Sequence, residues 1–261
     1  MLTKERIKEQ LMQMGVVPTD TVVIHTSMKA IGEVAGGADG LIDAFCEYLC
    51  AGLLLVPTHT WDTVTPQNPC YDVRACVPDV GIVPSVAAFR KDGVRSLHPT
   101  HSLWAHGADA EEFVCNEENA QTPTAVGFCW DKLADRNAKI LLIGVGNEKN
   151  TFIHAVEERA QLPDRISKES YEITIIDEYG NTMTKKQYPL ECSKTEDISM
   201  FFGNFELPMV EMGVQTFGQL GNARVRIVDA MGCRQLLLRI FSRATEDIFA
   251  QHICLPESLY K

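Results

Sequence analysis

The chain has 261 residues, of which 45% are hydrophobic and 23% charged, and its formal net charge is −11. The length admits one large domain or two small ones with a sizeable core, and the composition is that of a folded globular protein. The acidic balance argues against nucleic acid and anionic membrane surfaces as partners, and no apolar run reaches the roughly 20 residues of a membrane span. The start, MLTKERIKEQLMQMG, lacks the apolar core of a signal peptide. The nine cysteines include no CxxC pair, so they read as reduced thiols of a cytoplasmic protein, neither a disulfide frame nor a zinc cage.

Apolar spacing predicts an amphipathic helix over about 3–14, stopped by Gly15. TVVIH (21–25) reads as a buried strand. A glycine-containing loop follows, then a helix capped by Asp39 and ended by Gly52, then a second buried strand, LLLVP (53–57). Strand, helix and strand at this spacing form a βαβ unit with parallel pairing. Residues 58–79 are expected to be a long polar loop of functional character. Helices are predicted near 83–91, with Pro84 in the first turn, and near 108–117 and 128–136. The strand KILLIGV (139–145) precedes a helix beginning TFIHAVEE, with Asn150 as its cap. Beyond 165, YEITIID and TMTKKQYPL form a hairpin about EYGN. A helix near 195–212, the strand RVRIVDA and a last helix near 231–250 complete the pattern. The expected architecture is α/β, a mixed sheet between helices in three α/β/α layers, with antiparallel strands toward the C-terminal part and one domain over 1–261.

Two stretches carry chemistry. In NTFIHAVEERA, His154 stands near the start of a helix that follows a buried strand, where open α/β sheets bind ligands. Glu157 and Glu158 lie three and four residues on, within reach of its ring. A carboxylate on one imidazole nitrogen fixes the tautomer and raises the basicity of the other, as a general base requires. An ordinary surface ion pair is the plainer alternative. In RSLHPTHSLWAHG, Pro99 stands between His98 and His101, so a regular helix is not expected there. A hydrogen-bonded turn built on Ser96, Thr100 and Ser102 competes with a metal site made by His59, Asp62, His98, His101 and His154, the arrangement of a metal-dependent hydrolase. The loop HTSMKAIGEVAGGADG precedes a helix and could hold an anion, with Lys29 and Arg95 as the nearest cations. It matches neither dinucleotide nor P-loop patterns.

In this order, HTSMKAIGEVAGGADGLIDAF, LLLVPTHTWD, YDVRACVPDVGIVPSVAAFR, VRSLHPTHSLWAHG, TPTAVG and LLIGVGNEKNTFIHAVEERA resemble the aminoglycoside 3-N-acetyltransferase family. FGQLGNARVRIVDA resembles its closing strand. The resemblance implies transfer of acetyl from acetyl-CoA to the 3-amino group of an aminoglycoside or a related amine, directly, with no metal and no acetyl-enzyme. It implies His154 as the base, with Glu157 and Glu158 orienting it or holding the cationic substrate. Ser27, Lys29, Gly32, Gly36 and Gly37 would border the CoA phosphates, with Arg95 beside them. Ser96, His98, His101 and Ser102 would line the thioester end, Ser102 as an oxyanion donor, and Asp62 would face the acceptor. Antibiotic resistance is the implied setting, a homodimer is left open, and a relative that binds CoA or an antibiotic without turnover is the non-enzymatic alternative. One segment departs from the family. SKTEDISMFFGNFELPMVEMG, with Glu196, Asp197, Glu206 and Glu211 spread among aromatics, stands where antibiotic-modifying members are aspartate-rich, which opens the acceptor to a smaller or less basic amine.

Overall fold

The computed structural model describes residues 1–193, 195, 197–244, 248 and 251–261. Strands β1 (Thr21–Thr26), β2 (Leu53–Pro57), β4 (Val94–Arg95), β5 (Leu103–Gly107), β6 (Lys139–Ile143), β9 (Gln215–Leu220) and β10 (Ala223–Asp229) form one sheet in the order β4-β5-β2-β1-β6-β10-β9. β1 pairs parallel with β2 and with β6, as the βαβ spacing requires. The remaining pairs are antiparallel, and they occupy both edges. The antiparallel strands expected toward the C-terminal part are β10 and β9, and β5 and β4 add antiparallel pairing at the other edge. β5 and β4 fold back along β2 because the polar turn between them reverses the chain within a few residues.

Alternation along the central strands separates two cores. Val23, Leu55, Ile140 and Leu142 face α5 (Ala110–Val114), α6 (Cys129–Asp135), α7 (Phe152–Arg159) and α9 (Ala230–Arg243). Val22, Ile24, Leu54 and Leu141 face α1 (Lys4–Gln13), α3 (Gly37–Tyr48) and α4 (Ile82–Ala87). A period of two in the strands against helices on either side gives the three layers. The short α2 (Met28–Ile31) follows β1.

A second sheet was not anticipated. The hairpin β7 (Tyr171–Ile176) and β8 (Thr182–Gln187) forms as expected, but β3 (Cys70–Asp72), within the supposed loop 58–79, adds to it in parallel. Val64, Tyr71, Val73, Ile173 and Ile175 form its own small core. Other local expectations are also corrected. Gly36, with φ +77°, is the N-cap of α3; Asp39 lies in the first turn and binds Arg90 instead. Asn150 does not cap α7, which follows Thr151 without a side-chain cap bond. The helix expected over 195–212 is a 3-10 stretch, Ile198–Phe205, followed by α8 (Glu206–Glu211). The last helix is described to Arg243.

Candidate active site

A cleft of about 720 Å³ opens beyond the carboxyl ends of β1, β2 and β6, where ligands gather on open α/β sheets. Its floor carries His25 and His59, from the ends of β1 and β2, with His101 and His154 beside them. Trp61, Val64 and Pro66 from the 58–79 segment and Phe202 from the 3-10 stretch wall it.

His154 sits in the first turn of α7. Its Nδ1 donates to Glu157 Oε2 at 2.8 Å, and Nε2 makes no hydrogen bond to the described residues. Phe202 packs edge-on against the ring at 4.8 Å between centroids. Glu157 is only 1% exposed, and its other oxygen accepts from Arg165 Nε at 2.8 Å. The i, i+3 spacing on a helix delivers this pair. Glu158, one residue on, turns elsewhere. Its oxygens accept from Thr122 Oγ1 at 2.5 Å and from Thr124 N and Oγ1 at 2.7 and 2.5 Å. Burial raises its pKa against those donors. The expectation that Glu158 orients His154 or holds substrate is corrected: it pins the Thr122–Thr124 segment.

The turn RSLHPTHSLWAHG is likewise largely internal. His98 Nδ1 accepts from the backbone N–H groups of Thr100 and His101 at 3.2 and 2.9 Å, so Nε2 is the protonated nitrogen and donates to Thr122 O at 3.0 Å. Both nitrogens of a neutral ring are used, and burial lowers its pKa to about 4. Ser96 Oγ accepts from Leu103 N. Ser102 is fully buried, donating to Thr58 O at 2.8 Å, and Arg95 binds Thr58 and Cys76 O beneath the Tyr71 ring. Ser96, His98, Ser102 and Arg95, expected at the thioester, oxyanion and phosphate positions, are thus bonded within the protein and do not line the cleft. His101 does line it, its Nδ1 within 3.0 Å of Thr100 Oγ1 and its ring 4.8 Å from that of His59.

The glycine loop borders the same end of the sheet without lining the cleft. Ser27 Oγ accepts from Ala30 N, Lys29 is exposed, and Gly32, Gly36 and Gly37 take positive φ, so their first duty is to the backbone. Asp62 is exposed outside the cleft. Its neighbour Asp79, which accepts from Asp62 N and Thr63 N, stands in the wall instead. Of the four acids in the departing segment, Asp197 lines the cleft and Glu196 lies outside the described residues. Glu206 binds Arg226 and Glu211 binds Lys261.

The metal set His59, Asp62, His98, His101 and His154 is not assembled: both His98 nitrogens are used within the turn and Asp62 is exposed outside the cleft. Among the described residues one group of metal-binding type comes together elsewhere, Cys46, Asp92 and His106, with ligand atoms within 4.8 Å of one another. Both Asp92 oxygens there are bound by Arg90, at 2.9 and 2.5 Å, so the charge a cation would need is already neutralised.

Several lining residues escaped the sequence reading. His25 was legible as the polar end of a buried strand. Its Nε2 and both polar atoms of Asn150 are buried without hydrogen-bond partners among the described residues. Lys149 is the cation that lines the cleft in place of Lys29 and Arg95, and Arg165 reaches it from beyond α7. No local pattern announces an arginine eight residues past its partner.

The structure is thus a three-layer α/β fold with a histidine–carboxylate pair at its cleft. Residues 23–242 match the aminoglycoside 3-N-acetyltransferase family, and the chain belongs to it. Aminoglycoside N(3)-acetyltransferase IX of Micromonospora chalcea is 28% identical over 239 residues, 83% of this chain and 79% of that protein. Aminoglycoside N(3)-acetyltransferase VIII of Streptomyces fradiae is 29% identical over 182 residues, and this chain spans 63% of its length. Both relatives are by name acyltransferases. The crystal structure of the aminoglycoside acetyltransferase AAC(3)-Xa superposes with a TM-score of 0.76 at 27% identity, over 89% of this chain and 90% of that one. The fold is also that of AAC-IIIb bound to CoASH, with a TM-score of 0.77 at 21% identity over 89% and 93% of the two chains. Among the described residues no helix is long and apolar enough to cross a membrane.

Proposed function

We propose that this protein transfers the acetyl group of acetyl-CoA to an amine of an aminoglycoside or a related aminocyclitol, with His154 as the general base. The observation that carries this reading is the hydrogen bond from His154 Nδ1 to the buried Glu157, which leaves Nε2 as the basic nitrogen at the cleft. An ammonium has no lone pair, so the acceptor reacts as the free amine. As its nitrogen bonds to the thioester carbon, Nε2 takes its proton and the carbonyl electrons move to oxygen. Collapse expels CoA as the thiolate, which takes that proton from the His154 imidazolium, and leaves the amide. Thr151 is the hydroxyl that lines the cleft beside α7, and it replaces Ser102 as the donor toward the developing oxyanion. Lys149 is the cation for the CoA phosphates. AAC-IIIb binds CoASH on the same fold, which supports the cosubstrate.

Asp79, Glu148, Glu191 and Asp197 give the cleft negative charge suited to a cationic amine, against Lys149 and Arg165. Glu206 and Glu211 of the departing segment are tied to cations elsewhere, so these two acids are not offered to the outer rings of a large drug. Each missing charge-assisted hydrogen bond costs about 1.5–3 kcal/mol. Small amines and aminocyclitol fragments should be turned over more efficiently than gentamicin-like drugs. The test is a thiol-release assay with acetyl-CoA across such a panel. No thiol release with any amine overturns the reading, and kcat/KM at or above about 10⁵ M⁻¹s⁻¹ for the large drugs overturns the preference.

A further inference from the structure

Arg165 lies outside every motif of the sequence, yet it completes a continuous charged chain, His154–Glu157–Arg165, at bond lengths of 2.8 Å on both sides of Glu157. The geometry points to Arg165 as a positioning residue: its fixed positive charge keeps Glu157 ionised and thereby sets the pH at which His154 becomes a free base. This inference rests on the acetyl-transfer reading for the use of that base, but the charge coupling itself is independent of the substrate.

The placement of Arg165 is built. The chain leaves α7 through a turn in which Gln161 and Asp164 adopt left-handed conformations, with φ of +53° and +58°. Non-glycine residues adopt this conformation only where surroundings impose it. The Asp164 carboxylate accepts from Ser193 N at 3.1 and 3.0 Å and from Ser193 Oγ at 2.7 Å, and Glu191 N donates to the Arg165 carbonyl, so the Arg165 backbone and the residue before it are tied down. The guanidinium Nη1 donates to the carbonyls of Pro163 and Asp164 at 3.2 and 2.9 Å, which turns Nε onto Glu157. A carboxylate 1% exposed with only a neutral imidazole for company would favour its protonated form. Arginine, which keeps its charge at all working pH, is the residue suited to prevent that.

The other charged groups around the pair do not replace it. His59 and His101 are held neutral by burial, and Glu158 faces Thr122 and Thr124. Glu148 accepts from Gly146 N, while Lys149, Glu191 and Asp197 stand on other parts of the cleft wall. Asp164 is bound to Ser193.

The test is an NMR titration of the His154 ring, assigned by its loss in His154→Gln, in Arg165→Lys, Arg165→Met and Arg165→Gln, beside the acid limb of kcat/KM in the thiol-release assay. Without Arg165 the buried Glu157 takes up a proton and His154 loses the anion that favours imidazolium, so Arg165→Met and Arg165→Gln should move the His154 midpoint and the acid limb down by about one pH unit or more. Arg165→Lys should hold both near the wild-type position, and KM for acetyl-CoA should change little. If the midpoint stays put in Arg165→Met, or if Arg165→Gln matches Arg165→Lys, the charge has no such role and the inference falls. Should Arg165→Met fail to fold, the lysine and glutamine pair decides alone. The ring titration is read without substrate, so a wrong acceptor or wrong reaction cannot be mistaken for a wrong role of Arg165.

Discussion

Glu157 and Glu158 are adjacent, identical and equally available in the sequence, and the structure gives them opposite duties. One faces an imidazole and a guanidinium; the other accepts from two threonines. Spacing on a helix allows both i, i+3 and i, i+4 contacts, and only the packing of the Thr122–Thr124 segment decides between them. His154→Ala or His154→Gln should lower turnover about 10²–10⁴-fold with little change in acetyl-CoA binding, as measured by steady-state kinetics beside calorimetry. Near-wild-type turnover would remove His154 from the chemistry. Glu158→Ala should act on stability, costing about 2–4 kcal/mol in urea unfolding as two threonine hydroxyls and one amide lose their acceptor. The acid limb of kcat/KM should stay where it is in that variant. A displaced limb with unaltered stability would return Glu158 to the catalytic set.

At the scale of elements, the central parallel strands were legible because continuous β-branched and aliphatic runs have few other uses, as in TVVIH, LLLVP and KILLI. β5 was missed because LWAHG is short and follows a histidine-rich turn that draws attention to chemistry. β3 was missed because three residues inside a proline-containing stretch have no periodicity to read. Of the site, His154, Glu157 and His101 were legible from local spacing and position. Arg95, Ser96, His98 and Ser102 looked like ligand-binding residues because buried hydrogen-bonded turns and binding loops draw on the same residue types. α9 illustrates a local rule that does hold. Asp229 ends β10 and accepts from the N–H groups of Met231 and Gly232 at 3.2 Å each, capping the helix that covers one face of the sheet. Asp229→Ala should cost about 0.5–2 kcal/mol by thermal or urea unfolding without changing the kinetics. A variant as stable as wild type would show that packing alone fixes the start of α9.

The whole molecule carries an acid liability in four histidines held as neutral rings, His59, His98 and His101 buried and His25 half-buried. Burial lowers His25 to about 3 and His98 to about 4 from the ordinary 6.5, and lowers His59 and His101 well below it. The unfolded chain takes up protons that the native state refuses, so stability present above about pH 6.5 is lost as pH falls toward 4, at about 1.4 kcal/mol per pH unit for each such ring. Glu117 opposes this. Burial raises it to about 7 from 4.5, so the stability its protonated form contributes at low pH is lost as pH rises from about 4.5 to 7. Urea midpoints should fall on acidification from pH 7 to 4.5, since the four histidines outweigh Glu117 and Glu158. Glu117→Gln should gain on the order of 1–3 kcal/mol at pH 8 and almost nothing at pH 4. A wild-type midpoint that stays level across that range would show that the rings titrate freely in the folded protein.

The small sheet β3-β7-β8 has a consequence for how such a protein changes over generations. The histidine–glutamate pair is anchored in the large core beneath α7, whereas Trp61, Val64 and Pro66 belong to the segment that leads into β3, whose side chains pack in a separate core of Val64, Tyr71, Val73, Ile173 and Ile175. Substitutions that reshape this wall of the cleft therefore draw on one reservoir of packing and leave the histidine–glutamate pair on another. Change in the shape of that wall can accumulate in the small sheet, through insertions in its turns or exchanges along its faces, while the core that anchors the pair stays as it is.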